Sequence, residues 1–79
     1  MPSLKRLLAK FNQEEREILE ALIEAIVSLD WERLDIKKLK GYQNVFRVRK
    51  GNLRIIFLKE QKRIFIMSID RRNEKTYKL

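Results

Sequence analysis

The sequence lacks the residue types on which most metal and acid–base sites depend. Its 79 residues include no cysteine and no histidine. The chain therefore has neither a disulfide framework nor a thiolate zinc site. It also lacks the commonest metal ligand and the usual general acid–base side chain. We expect a protein that works without a metal or another cofactor.

Long apolar runs are missing as well. The N-terminal stretch "MPSLKRLLAKFNQEERE" meets a charge every few residues. It resembles neither the apolar core of a signal peptide nor the roughly 20 apolar residues that span a bilayer. We expect a cytoplasmic protein with no membrane association, formed by a single domain over residues 1–79 because so short a chain buries only one small core.

Charge is distributed unevenly along the chain, whose formal net charge is +8. The first 36 residues hold five basic and eight acidic side chains, whereas the rest hold fourteen basic and three acidic ones. A strongly basic half favours a polyanionic partner, although many basic domains bind nothing in particular.

The first half has the spacing of two helices. Leu4, Leu7, Leu8 and Phe11 recur at helical intervals after Ser3, a suitable N-cap. Asn12 then precedes Glu15 by three residues, as in a capping box, and an apolar stripe follows at Ile18, Leu19, Leu22, Ile23, Ile26 and Val27. This pattern predicts a helix hairpin over residues 3–30, with the second helix ending around residues 29–31. The glutamates between the stripe positions are expected to face solvent.

From Val45 onward the apolar period becomes two, which predicts antiparallel strands near residues 44–50, 53–59 and 63–69. A two-residue turn at Gly51 and Asn52 would place Arg49 opposite Arg54. Alternation then assigns one apolar face to the helices, made of Phe46, Val48, Leu53, Ile55, Phe57, Ile64 and Ile66. Arg47, Arg49 and Arg54 share the other face. The expected fold is α+β, a helix hairpin packed on one face of a three- to four-stranded antiparallel sheet within residues 44–69.

Three arginines on adjacent strands repel one another, and directly opposed like charges cost a few tenths to about 1 kcal/mol. A bound phosphate would turn this repulsion into a net attraction, because guanidinium forks match phosphate oxygens. The alternative is that these side chains are simply solvated.

The basic C-terminal segment, residues 70–79, should begin beside the Gly51–Asn52 turn. It carries Arg71, Arg72, Lys75 and Tyr77. Basic groups interleaved with an aromatic ring suit RNA, but a frayed basic tail has the same composition.

The order of these features resembles one family. A helix hairpin, "LKGYQNVFRVRKGNLRIIF", a second hairpin and "IMSIDRRNEKTY" follow one another as in the RelE/ParE superfamily of toxins from type II toxin–antitoxin systems. The resemblance covers residues 4–77. It implies a RelE-like toxin that inhibits translation by cleaving mRNA in the ribosomal A site and is neutralised by a cognate antitoxin.

The resemblance also implies site residues. Arg54, Arg72 and Tyr77 correspond to catalytic positions, and Arg47, Arg49, Lys50, Arg71 and Lys75 are expected to bind RNA. The implied chemistry is attack of a ribose 2′-hydroxyl on its neighbouring phosphodiester, without a metal. Arg71 can take the place of Arg72, because the spacing to Tyr77 varies by a residue.

The sequence departs from the family in two ways. Arginine replaces lysine at positions 47 and 49, and arginine is a poor general base, which leaves Tyr77, Lys50 and Lys75 as candidates. The family's first strand precedes its helix hairpin, whereas this sequence starts almost at the first helix, so we expect an unpaired sheet edge that an antitoxin or a second copy covers. A ParE-like gyrase inhibitor and a shortened, inactive binding module remain alternatives.

Overall fold

The computed structural model describes residues 4–71. Helix α1 spans Leu4–Leu8 and helix α2 spans Gln13–Val27. Four strands follow: β1 Asp35–Lys38, β2 Val45–Lys50, β3 Leu53–Glu60 and β4 Arg63–Arg71. The predicted α+β class, a helix hairpin beside an antiparallel sheet, is confirmed.

Helix α2 starts with the predicted capping box. The Oδ1 atom of Asn12 accepts a hydrogen bond from the backbone N–H of Glu15 at 2.8 Å, and the Glu15 carboxylate accepts one from the N–H of Asn12 at 3.1 Å. The helix ends two residues before the predicted range. Leu29 there adopts a left-handed conformation with φ 63°, and the N–H groups of Leu29 and Asp30 donate to the carbonyls of Ile26 and Ala25. Those two bonds form a Schellman motif.

The sheet is a meander in the order β1-β2-β3-β4 with every pair antiparallel. Gly51, with φ 59°, supplies the left-handed residue of the β2–β3 turn. Arg49 lies opposite Arg54 and Val48 opposite Ile55. The predicted register of this hairpin is therefore confirmed.

Strand β1 was not predicted as an element. Its sequence, Asp-Ile-Lys-Lys, has one apolar residue and three charges, a composition that β-propensity does not favour. It pairs with β2 along its whole length, and Ile36 packs against the core. Within the described residues, β1 and β4 are the two edges of the sheet.

A bulge interrupts the β3–β4 pairing. Ile56 pairs with Ser68 and Phe57 pairs with Ile66, so that Met67 is an extra residue on β4. An extra residue reverses which face the following side chains occupy. Beyond Met67, Ile69 and Arg71 therefore lie on the helix side of the sheet and Asp70 lies on the other.

The core lies between the helices and the sheet. Its fully buried side chains come from α2 and the two central strands: Leu19, Ile26, Val48, Ile55 and Phe57. Trp31 closes one end of this core, with its ring 5.2 Å from Phe46 and 5.7 Å from Phe57 between centroids. The indole N–H donates to the Ile26 carbonyl at 3.1 Å. This packing holds β2 and β3, which carry the predicted arginines, on a rigid base.

Candidate nucleic-acid interface

The face of the sheet opposite the helices carries the arginines, and we call it the arginine face. It comprises Asp35, Lys37, Val45, Arg47, Arg49, Arg54, Ile56, Leu58, Phe65, Ser68 and Asp70. The arginines reach this face because they alternate with core residues along β2 and β3. Their exposed fractions are intermediate rather than high. The stems of these side chains therefore lie along the sheet, as long basic side chains commonly do.

A charged row crosses all four strands. Asp35 on β1 lies opposite Arg49 on β2, Arg49 opposite Arg54 on β3, and Arg54 opposite Asp70 on β4. The order across the sheet is therefore acid, base, base, acid. Each arginine of the like-charged central pair has a carboxylate on its outer side, which offsets the repulsion expected from the sequence.

The Arg54–Asp70 pair is the tighter of the two. Nε of Arg54 donates to one carboxylate oxygen and an Nη atom donates to the other, both at 3.1 Å. Both side chains are about one third exposed. A two-point contact of this kind fixes the plane of a guanidinium as well as its position.

Asp35 holds its arginines more loosely. Its carboxylate lies 3.5 Å from Nε of Arg49 and 4.0 Å from an Nη atom of Arg47. These separations are those of ion pairs rather than of well-formed hydrogen bonds. The Asp35 side chain is 59% exposed. In addition, Nε of Arg47 is buried and has no hydrogen-bond partner among residues 4–71, although a buried donor normally has one.

An apolar strip continues the arginine face toward the β3–β4 turn. Ile56, Leu58 and Phe65 are half-buried, and the bulged Met67 is 49% exposed. The structure places the strip directly beside the charged row.

Two other residues predicted to bind RNA lie elsewhere. Lys50 pairs with Leu53 and so lies on the helix side of the sheet, where its side chain is exposed. Arg71 pairs with the same leucine and also lies on the helix side, as a result of the bulge at Met67. The structure thus separates both residues from Arg47, Arg49 and Arg54.

Arg71 is engaged with the start of α2. Its guanidinium donates to both oxygens of Glu15, at 2.7 and 2.8 Å, and lies 4.9 Å above the Phe11 ring. This contact, together with the N–H of Asn12, lowers the pKa of Glu15 to about 2. In turn Glu15 raises the pKa of Arg71. The pair fastens the end of β4 to the helix cap.

Arg72, Lys75 and Tyr77, which the sequence predicts as site residues, lie outside the described residues. Sequence reasoning missed the carboxylates Asp35 and Asp70, and it placed Glu15 in the capping box without its contact to Arg71. Asp70 offered a signal, since it is one of only three acidic residues after position 36.

Residues 4–71 contain no cluster of three or more side chains suited to holding a metal ion. In the same part of the chain, neither helix is long and apolar enough to cross a membrane.

The arrangement can recognise a phosphate. Arg49 and Arg54 are juxtaposed on rigid strands and present donors toward the same surface, with Arg47 on the same strand as Arg49. Preorganised guanidinium donors stabilise negative charge that grows during a reaction. The guanidinium donors on the described part of the arginine face are therefore chemically suited to an anion, which would compete with the carboxylates of Asp35 and Asp70.

Comparison with known proteins assigns a class to this fold. No family model matches the chain. A chain in the crystal structure of the RelB–RelE antitoxin–toxin complex from Methanococcus jannaschii superposes with a TM-score of 0.73 and 29% identity, over 90% of this chain and 85% of that one. This chain is RelE-like in fold.

A curated relative agrees with that class. Toxin RelE3 of Methanocaldococcus jannaschii is 61% identical over 28 residues, which is 35% of this chain. The match covers only 32% of that toxin's length. The two similarities bear out the resemblance to RelE-like toxins drawn from the sequence.

Proposed function

We propose that this protein is a RelE-like toxin that cleaves mRNA in the ribosomal A site. The observation that carries the proposal is the pair Arg49 and Arg54, juxtaposed across β2 and β3 with Arg47 beside them. This pair sits on a fold that is similar to a chain of a toxin–antitoxin complex. Basic groups on a rigid sheet suit a backbone phosphate better than groups on a loop.

The proposed reaction is an internal transesterification. The ribose 2′-oxygen loses its proton and bonds to the adjacent phosphorus, while the bond to the 5′-oxygen of the next nucleotide breaks and that oxygen takes up a proton. The products are a 2′,3′-cyclic phosphate and a 5′-hydroxyl. Arg54 and Arg72 stabilise the growing charge on the phosphoryl oxygens, and Arg47 and Arg49 bind the same or a flanking phosphate. Tyr77 positions the base or the hydroxyl by stacking or hydrogen bonding.

The proton acceptor is Tyr77 or Lys75 in this proposal. An arginine is a poor base because its pKa is above about 12. Lys50, the third candidate, lies on the helix side of the sheet, behind the arginine face.

An antitoxin is the proposed protein partner. Support comes from the RelB–RelE complex in which the similar chain occurs, and from the apolar strip of Ile56, Leu58, Phe65 and Met67, a kind of surface that commonly marks an interaction site. A homodimer formed through an uncovered sheet edge is the competing arrangement.

One observation favours a second candidate, an inactive binding module. Arg47, Arg49 and Arg54 each have a carboxylate partner within the chain, so the arginine face is partly neutralised without any ligand.

The test is to map mRNA 5′ ends after adding the purified protein to translating ribosomes, with DNA gyrase supercoiling measured in parallel. We expect new ends within A-site codons and unaffected supercoiling. Intact mRNA with inhibited supercoiling would favour the ParE-like alternative. Intact mRNA with normal supercoiling would favour the inactive module.

A further inference from the structure

The two carboxylates of the charged row differ in how firmly they hold their arginines. Asp70 makes two hydrogen bonds of 3.1 Å to Arg54. Asp35 is mostly exposed and stands 3.5 and 4.0 Å from Arg49 and Arg47. A ligand that competes for guanidinium donors therefore displaces Asp35 more easily than Asp70.

The carboxylate of Asp35 is within ion-pair distance of both arginines of β2. It lies between them, the place where a phosphate that bridges them would sit. Within the described part of the chain, Arg47 also has a buried Nε donor without an acceptor, so the contact with Asp35 leaves the hydrogen-bonding capacity of this side chain incompletely used there. A phosphate offers more acceptor oxygens than a carboxylate and meets guanidinium forks at two points.

We propose that Asp35 is an exchangeable internal counterion that occupies the phosphate subsite of Arg47 and Arg49 until RNA displaces it, whereas Asp70 is a fixed positioning residue that orients Arg54. This inference rests on the proposed function for the identity of the ligand, a single-stranded RNA backbone. Asp35 thereby lowers the affinity of the arginine face for phosphates that bind only weakly. Asp70 keeps the Arg54 fork in one plane for the reacting phosphate.

The roles of Asp35 and Asp70 predict different changes in RNA affinity and cleavage when each carboxylate is replaced by an amide. Asp35→Asn removes the competing charge and keeps the shape of the side chain. We expect RNA to bind about two- to fivefold more tightly, which is what one exposed ion pair is worth. If one further phosphate is neutralised, the slope of log K against log salt becomes steeper by about 0.7. Asp70→Asn makes the same charge change but releases Arg54 from its fixed plane, so we expect a smaller gain in affinity and a loss of cleavage at saturating substrate.

The experiment measures binding of a 2′-O-methyl oligoribonucleotide by fluorescence anisotropy over a range of salt concentrations. This probe cannot be cleaved, because it has no free 2′-hydroxyl, so its binding is independent of any activity on ribosomes. The variants are Asp35→Asn, Asp70→Asn and Glu24→Gln. Glu24 is exposed on α2, in the layer on the other side of the sheet, and controls for net charge alone.

Tighter, more salt-dependent binding in Asp35→Asn, with a smaller gain in Asp70→Asn and with Glu24→Gln like the parent, supports the inference. Unchanged or weaker binding in Asp35→Asn overturns it, as does an equal gain in all three variants or no binding by any of them. If the parent binds the probe as expected but leaves ribosomal mRNA intact, the proposed function fails while the counterion role of Asp35 stands.

Discussion

The Arg54–Asp70 pair should contribute measurably to the stability of the sheet. We consider Arg54→Met, Asp70→Asn and the double variant, because this cycle isolates the pair from other contacts of either side chain. Exposed ion pairs are worth about 0.2–1 kcal/mol. With two hydrogen bonds and both groups about one third exposed, we expect a coupling free energy at the upper end, about 1 kcal/mol.

The Asp70→Asn variant should lose more free energy of unfolding than the coupling between Arg54 and Asp70 alone. It leaves Arg54 directly opposite Arg49 without its outer carboxylate, and that repulsion adds a few tenths to about 1 kcal/mol. Urea unfolding of the four proteins measures these free energies. In a domain of this size, each 1 kcal/mol lowers Tm by about 4–8 °C. A coupling below about 0.2 kcal/mol, or an Asp70→Asn variant as stable as the parent, would refute the assignment of Asp70 as a fixed partner.

Three further predictions concern the fold that supports the arginine face. Because the folded pKa of Glu15 is lowered to about 2, the Glu15–Arg71 contact should stabilise the fold fully above the unfolded pKa of about 4.3 and lose that effect as pH falls toward 2. In Glu15→Gln, the free energy of unfolding measured between these pH values should lack this pH dependence. A pH dependence equal to that of the parent would contradict the prediction. Asn12→Ala should cost about 1 kcal/mol in chemical unfolding through loss of the N-cap, and a cost near zero would mean that the capping box contributes little. Ile55→Val should cost about 1 kcal/mol because Ile55 is fully buried, whereas Ile56→Val on the arginine face should cost less, and equal costs would contradict the assignment of faces.

The β2–β3 hairpin could be predicted from the sequence because its determinants are local. Gly51 and Asn52 fix the turn, and alternating apolar residues on both sides fix the register. Once Arg49 is placed opposite Arg54, the arginine face follows. The capping box of Asn12 and Glu15 could also be predicted, because its two residues are only three positions apart.

The elements that the sequence did not reveal depend on contacts distant in the chain. Strand β1 is held by pairing with β2 and by Ile36 alone, so its charged sequence carries no strand signal. The end of α2 uses Leu29 in a conformation that usually belongs to glycine or asparagine, so no residue type marked it. The bulge at Met67 decides that Asp70 faces Arg54 and that Arg71 faces Glu15. A strictly alternating strand places these two residues on the wrong faces.

These carboxylates also change one expectation about the arginines. Taken alone, the opposed charges of Arg49 and Arg54 would predict that alanine at either position relieves their repulsion and leaves folding nearly intact. Because Asp35 and Asp70 already offset that repulsion, removing Arg54 instead leaves Asp70 partly buried without its two donors. The stability of each Arg54 variant therefore has to be measured together with its cleavage activity.

The most direct test of the account is the rate of ribosome-bound mRNA cleavage by Arg54→Ala and Arg72→Ala. Preorganised donors at a comparable electrostatic site are worth roughly 2.7–4 kcal/mol each, so either variant should cleave about a hundredfold more slowly or worse, and Tyr77→Phe should show a smaller loss. Ile55→Val is the matched control, because it lowers stability without touching the arginine face and should cleave like the parent at temperatures where it is folded. Parent-like cleavage by both arginine variants, or a loss of cleavage that follows unfolding and is shared by Ile55→Val, would contradict the account.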